Sequence, residues 1–439
     1  MKNYTFLFLF SLFCVIAAPD VSFSQEKHEI DISATDVLAT IAVPNFSRHS
    51  ESLPLKPGAL SKVIYRDLEL SGFFRKPENQ EFVNQTSRSD IRNEKIDFKE
   101  WRRLGSSFLV KGTYLLTPEE LSAQCFLYDV KTNQRIFGKK FTGFKKKDYR
   151  RLAHQISDEI VKYIAHVSGI ASTKIVFISD RGSDKNNKEV FIMDADGYNQ
   201  RPLTGDGSLA ATPCWGARGT EIYYTSYKEY NPDLWVIRLK DGKTGVVSSY
   251  PGFNLSPAWS PESKRIALTL SKDGNSEIYI MGPRGENLKR ITFHKAIDSS
   301  PCWSPDGEQI VFTSDRTGMP QVYLTDSEGL DVKRLTFKGS YNDSPVWSPK
   351  GDKIAYVSRS SGYFHIFLMN EDGSNRIQLS SGRSNNEDPC WAPDGEHLAF
   401  TSDRTGKTQI YMMNIRTAEP VQLTFEGSNQ SPAWSPYFK

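Results

Sequence analysis

The sequence is poor in residues that would cross-link it or hold a metal. It has five cysteines in 439 residues, and Cys14 falls in an apolar leader. Cys125, Cys214, Cys302 and Cys390 remain, with no Cys-x-x-Cys among them, so neither a zinc pattern nor a thioredoxin-type pattern is present. His28, His49, His154, His166, His294, His365 and His397 are scattered, with no His-Glu-x-x-His, so no metal or cofactor is expected. There is no P-loop, and the abundant turn aspartates do not fit EF-hand spacing. A Gly-x-Ser-x-Gly nucleophile elbow is missing. Net charge is only +3, too small to argue for nucleic acid. Beyond the leader no run of roughly 18 apolar residues occurs, so no membrane span is expected.

The leader itself is legible. Lys2 supplies a positive start, Tyr4 to Ala18 is apolar apart from Thr5, Ser11 and Cys14, and Ser22 and Ser24 suit cleavage before Gln25, with cleavage after Ala18 as the second choice. Residues 1–24 therefore read as a secretory signal peptide. Phe13 stands where a lipoprotein acceptor at Cys14 would need a small residue. Residues 25–170 carry 24 Lys and Arg against 19 Asp and Glu, and residues 171–439 carry 30 against 32, which marks two modules rather than a basic arm.

Residues 25–36 are polar and short of hydrophobic anchors. They read as a mobile N-terminal peptide, either pairing with a partner as a strand or simply frayed. Residues 37–170 read as a small α/β domain. A strand covers Val37 to Phe46, and Pro57-Gly58 opens a helix with Leu60, Val63, Ile64, Leu68 and Leu70 on one face. A short helix is expected from Asp97 to Leu104. Strands follow at Phe108–Leu116, Leu121–Val130 and Arg135–Phe141, then a helix from about Lys147 to Val167. The order β-α-α-β-β-β-α describes helices packed on a mixed sheet. Lys145, Lys146, Lys147, Arg150 and Arg151 read as a solvated helix start.

From residue 171 onward the chain repeats. Trp215, Trp259, Trp303, Trp347, Trp391 and Trp434 are spaced by 44 residues, and by 43 at the last step. Each period holds a Pro-x-Trp strand, a Ser-Pro-x-Gly turn, an alternating strand such as Gln309–Ser314, an Asp-Arg turn such as Asp315-Arg316, a third strand, a Gly turn such as Asp372-Gly373 and a fourth strand ending Leu-Thr. Four short strands per period describe a propeller blade. Lys174–Ser179 lacks a Trp strand before it and the strand at Trp434 lacks a second strand after it, so the two should pair and close a six-bladed β-propeller over residues 171–439. The tryptophans are read as packing between neighbouring sheets and the Asp-Arg turns as links between adjacent blades. Cys214, Cys302 and Cys390 occupy one repeat position in alternate blades, do not touch, and are read as small buried residues.

The residues just upstream of Pro-x-Trp differ from blade to blade. Asn254, Ser256, Asp298, Ser299, Asp343 and Glu387 belong to this set, which either rings one mouth of the channel as a binding site or consists of solvated strand ends. The repeats also resemble those preceding the hydrolase domain of prolyl-oligopeptidase-type enzymes. No elbow supports that resemblance, and the repeats run to Lys439, so binding is favoured over catalysis. The alternative is a propeller hydrolase or lyase acting on a periplasmic glycan or peptide.

The combination of signal peptide, small α/β domain and six blades with Ser300-Pro301-Cys302-Trp303-Ser304-Pro305-Asp306-Gly307 and Thr401-Ser402-Asp403-Arg404-Thr405-Gly406 repeats, ending Ser431-Pro432-Ala433-Trp434-Ser435-Pro436-Tyr437, resembles the TolB family of the Tol–Pal system. The resemblance implies a periplasmic, non-enzymatic monomer that supports outer-membrane integrity and cell division. It implies binding of the lipoprotein Pal at the channel mouth, through Asn254, Ser256, Asp298, Ser299, Asp343 and Glu387, and recruitment of some family members by colicins at the same mouth. It further implies contact with TolA through the N-terminal peptide, here Glu29, Ile30, Asp31 and Ile32 within Gln25–Asp36.

Overall fold

The computed structural model describes residues 38–92, 95–181, 187–260 and 262–438. The signal peptide and the N-terminal peptide, with Glu29, Ile30, Asp31 and Ile32, lie outside the described residues.

The first domain is a mixed sheet with helices. Strand β1 (Ala39–Ala42) runs parallel to β3 (Phe74–Arg75) and to β4 (Phe108–Leu116), with β2 (Ser47–Arg48) also pairing β4. β4, β5 (Leu121–Asp129) and β6 (Gln134–Phe144) form an antiparallel meander. Helices α1 (Ala59–Leu70) and α4 (Tyr149–Ala165) pack on each other, and α4 packs on β5 and β6. Their buried stripes are Leu60, Ile64 and Leu68, and Leu152, Ile156 and Ile160, the helical spacing visible in the sequence. Trp101 and Leu104, at α3 (Phe98–Arg103), join Val83 of α2 (Val83–Arg92) against Ala42, Leu109 and Val130. The sequence reading omits β2, β3 and α2. Two-residue strands carry no periodicity, and among its described side chains α2 buries only Val83 and Ser87.

The remainder is six four-stranded antiparallel sheets. Blade 1 consists of β7 (Lys174–Ser179), β8 (Glu189–Asp194) and β9 (Arg201–Pro202), completed by the closing strand Asn429–Trp434. That strand lies antiparallel to β7, with Ala433 opposite Val176 and Trp434 opposite Ile175. Blade 4 is typical, with strands Asp298–Trp303, Gln309–Ser314, Gln321–Asp326 and Lys333–Arg334. The first strands of successive blades touch one another, so they surround the axis.

The tryptophans do pack between sheets. Trp303 joins Ala267, Ile280 and Ile291 of the preceding blade, and Trp391 joins Ala355, Val357 and Ile366. Blades approach so closely that a Cβ on Gly373 (φ +85°) would sit 2.6 Å from the Leu335 carbonyl oxygen of the blade before. The Asp-Arg turns behave differently from the expected link. Asp315 accepts from the Ile297 backbone N–H at 2.8 Å, bracing the connection that enters its own blade. Arg316 pairs with Asp298 at 2.9 Å in that blade and lies over the rings of Phe312 and Tyr323. Each partner is thus used separately, because the turn points the two side chains at different elements.

The α/β domain meets the propeller where third strands end. Leu70 enters the cluster formed by Ile175, Met193 and Met412, and Arg416 lies over the Phe73 ring. Gly72 (φ +72°) passes so near Asn414 that a Cβ would lie 2.6 Å from its Nδ2. Arg150 is not part of a solvated helix start. It is largely buried, pairs with Asp194 and Asp196, and lies 4.3 Å over the Tyr198 ring.

Trp434→Ala removes the large side chain of the closing strand and its Nε1–H bond to Thr173 Oγ1 at 2.8 Å. Denaturant unfolding is expected to show a loss of about 3–5 kcal/mol, the range for buried Trp truncation.

Candidate functional site

Each inner strand is an edge strand, paired on one side only. Its other side faces the axis, and the unpaired backbone groups there need partners. In blades 1, 3 and 5 the preceding blade supplies them. Cys302 Sγ accepts from the Trp347 backbone N–H at 3.3 Å. Cys214 and Cys390 do the same for Trp259 and Trp434. Burial pushes these thiols up, to about 12 for Cys214 and Cys390 and about 11 for Cys302, so they are unreactive. All four described cysteines are free.

At the residue immediately before the proline, the ladder slips by a β-bulge in every blade. At its centre sits a non-glycine residue with positive φ: Thr212 (43°), Ser256 (51°), Ser300 (51°), Ser344 (51°), Asp388 (52°) and Ser431 (50°). A left-handed residue of this type costs about 1–2 kcal/mol, and in blades 3, 5 and 1 the bulge is held from outside. Ser256 N–H donates to Thr212 Oγ1 (3.3 Å), Ser344 N–H to Thr313 Oγ1 (3.2 Å), and Ser431 N–H to Thr401 Oγ1 (3.0 Å) and Asp388 Oδ2 (3.1 Å). Every one of these acceptors belongs to the preceding blade.

This geometry sorts the six residues singled out in the sequence. Asn254 and Asp298, first in their strands, are 0% exposed. Asn254 bonds Ser248, Tyr250 and Gly252, and Asp298 holds Arg316. Both brace the rim and have no free face. Ser256, Ser299, Asp343 and Glu387 are partly exposed at the channel mouth. Asp343 accepts from Thr313 Oγ1 (2.7 Å) and Tyr341 OH (3.0 Å). Burial pushes the Glu387 carboxyl up, reinforced by Asp388, Asp403 and Asp343. Asp388 is raised for the same first reason.

Around this mouth lies an apolar rim that the sequence reading passed over. Phe293, Phe337 and Phe425 are 73%, 74% and 72% exposed. Each follows a fourth-strand Ile-Thr or Leu-Thr. The threonine is buried and anchored, Thr336 Oγ1 accepting from Val322 N–H at 2.9 Å and donating to Gln321 at 2.8 Å. Strand alternation then turns the next side chain outward. Arg290 and Arg334 lie over the Phe293 and Phe337 rings. Phe253 and Ile297, just before inner strands, and Tyr230 and Met319, in second-to-third-strand loops, are also exposed. All these segments lie at the end where inner strands begin. The α/β domain occupies the other end, where third strands finish. The Leu-Thr-Phe triplet recurring in blades 4 and 6, with Ile-Thr-Phe in blade 3, was the available signal.

The TolB beta propeller domain model matches residues 161–387 and 359–439, and the TolB amino-terminal domain model matches residues 28–136. The Tol-Pal system protein TolB of Desulfosudis oleivorans is 33% identical over 218 residues, 49% of this chain and 49% of that protein. Its namesake from Syntrophotalea carbinolica is 36% identical over 222 residues, 51% of this chain and 50% of that one. The chain thus spans about half the length of these curated relatives. The crystal structure of TolB from Acinetobacter baumannii superposes with a TM-score of 0.79 at 26% identity, covering 92% of this chain and 98% of that chain.

Because the folded state penalises an ionised Glu387, Glu387→Gln is expected to raise thermal stability at neutral pH. The sign follows from linkage: a raised carboxyl costs stability above its folded pKa and regains it as pH falls through that value. The stability gap between variant and parent, followed by thermal melts, should therefore close on acidification.

Proposed function

The chain belongs to the TolB family and is a component of the Tol–Pal system, and on that premise we propose that it is a periplasmic adaptor. It binds the lipoprotein Pal at the channel mouth and reaches TolA through residues 25–36, supporting outer-membrane integrity and cell division. The observation carrying this reading is the rim of exposed aromatic residues on the propeller face that the α/β domain leaves open. Exposed aromatic side chains beside polar residues are characteristic of protein interfaces, where rigid aromatic anchors dominate the energetics. Phe293, Phe337 and Phe425 supply anchors at separate points of the rim. Ser256, Ser299, Asp343 and Glu387 supply polar contacts at its centre. Asn254 and Asp298 contribute by holding the rim in shape.

The sequence offers no nucleophile elbow of the kind a propeller hydrolase of the serine type would use. The partner's role is one of shape and apolar contact. The peptide at residues 25–36 carries alternating Ile30 and Ile32 between acidic neighbours, a pattern compatible with strand addition to a partner sheet edge.

Pal affinity is expected to fall about thirtyfold in Phe293→Ser with Phe337→Ser, since truncating a hot spot costs about 2 kcal/mol. Ser256→Arg with Asp343→Arg should weaken it at least as much by filling the mouth. Deleting residues 25–36 in the same titrations should leave Pal affinity intact and abolish TolA capture. Unchanged Pal affinity in both mouth variants, each with parental circular dichroism, would count against the site.

A further inference from the structure

The sheet of the α/β domain has two edges, and they differ. β3 is two residues long, whereas β6 runs for eleven and ends the order β3-β1-β4-β5-β6 with no strand beyond it. The β5–β6 register shifts near both ends of the pair but is regular from Phe137 opposite Leu127 to Phe141 opposite Ala123. In an antiparallel ladder every second residue turns its N–H and C=O away from the paired neighbour. Among the described residues, no backbone group bonds to that outer side of β6.

The free edge also borders a cleft of about 490 Å³. Residues 139–142 line it, with Gln155 of α4 and Tyr437 and Phe438 of the C-terminal segment. Apolar side chains are available along it. Phe438 is 43% exposed, and Tyr163, which packs on Phe137, is 41% exposed. The charge here is of one sign. Lys140 is exposed on the edge, and Lys145, Lys146 and Lys147 are exposed just past its end. Among the described residues none of the four has a carboxylate within ion-pair distance. The acids nearby are already engaged: Glu159 pairs with Lys139 at 2.8 Å, and Asp158 accepts from the Ala171 and Ser172 backbone N–H groups.

We propose that the β6 edge is a docking site for an extended acidic segment of another protein, added to the sheet as a further strand. Main-chain bonds to residues 137–141 hold the segment, its carboxylates meet the four lysines, and its apolar side chains reach the aromatic residues of the cleft. A second copy of this chain does not fit, because two β6 edges side by side would set lysines against lysines. An anionic membrane surface would engage the lysines and leave the main-chain edge unused, whereas an acidic strand uses both. The inference rests neither on the reading of the channel mouth nor on the contact made by residues 25–36.

The test uses the full chain without its signal peptide and a short fluorescein-labelled peptide alternating valine and glutamate. Anisotropy should show saturable binding that weakens as salt is raised. Replacing the glutamates of the probe by lysine, or methylating every second backbone nitrogen, should each weaken binding at least about tenfold, since each removes several contacts. Lys140→Glu with Lys147→Glu, both at exposed positions, should do the same, and hydrogen exchange at residues 137–141 should slow when the probe is bound. Equal binding of the methylated probe overturns strand addition, and equal binding of the lysine probe overturns the acidic class. Absence of binding, or protection at residues 293–299 in place of 137–141, overturns the site. Binding of phosphatidylglycerol vesicles without binding of the probe assigns the lysines to a lipid surface and overturns the proposal. So does binding of the probe only after deletion of residues 25–36, which would give the cleft to the chain's own N-terminal peptide. Pal affinity is a separate readout, so failure here leaves the reading of the mouth standing.

Discussion

Ring closure is the constraint on which the rest of the structure depends. A propeller built from a linear chain has two loose ends, and each would be an open sheet edge prone to association. Here the chain fills blade 1 from both directions. Trp434 and Ala433 pair with Ile175 and Val176, and the clasp is reinforced beyond the ladder. Lys174 N–H donates to Ser435 Oγ at 3.0 Å, and Ser435 N–H returns to the Lys174 carbonyl at 2.8 Å. Tyr437 OH reaches the Ser168 carbonyl, so the same C-terminal segment touches the link to the α/β domain.

Closure makes the blades interdependent in a second way. In blades 1, 3 and 5 the inner strand leaves backbone N–H groups pointing away from its own sheet, and the preceding blade satisfies them with a thiol, a threonine hydroxyl or Asp388. The left-handed residues Ser256, Ser344 and Ser431 are held by these contacts. The two faces of the ring then diverge. At one, Leu70, Gly72 and Phe73 seat the α/β domain on blades 1 and 6. At the other, buried threonines push phenylalanines into solvent. An adaptor needs this asymmetry, with one face committed internally and one left for a partner.

Much of this architecture was legible in the sequence because it repeats. The Trp spacing gave six blades, the complementary fragments at Lys174 and Trp434 gave the clasp, and helical spacing gave α1 and α4. The candidate site was less legible. Asn254 and Asp298 look exposed because they are polar and begin a strand, yet the first position of each inner strand faces inward and is consumed by its own loops or by Arg316. Phe293, Phe337 and Phe425 look like strand-end core residues, and their exposure depends on whether the preceding threonine is anchored, which is a tertiary fact. The buried hydrogen bond between Asp67 and His154 spans 87 residues, so no local pattern could show it. Arg150 reads as one of five surface cations until the propeller turn carrying Asp194 and Asp196 is placed beside it.

The central claim is that the open face of the propeller, and not the joint or the outer strands, receives the partner. Hydrogen–deuterium exchange on the full chain with and without Pal tests it directly. Protection confined to residues 293–299, 337–344 and 425–431, with the turns at 195–200 and 414–418 unchanged, is the predicted footprint. Protection at those turns with none around Phe293, Phe337 and Phe425 would contradict the account.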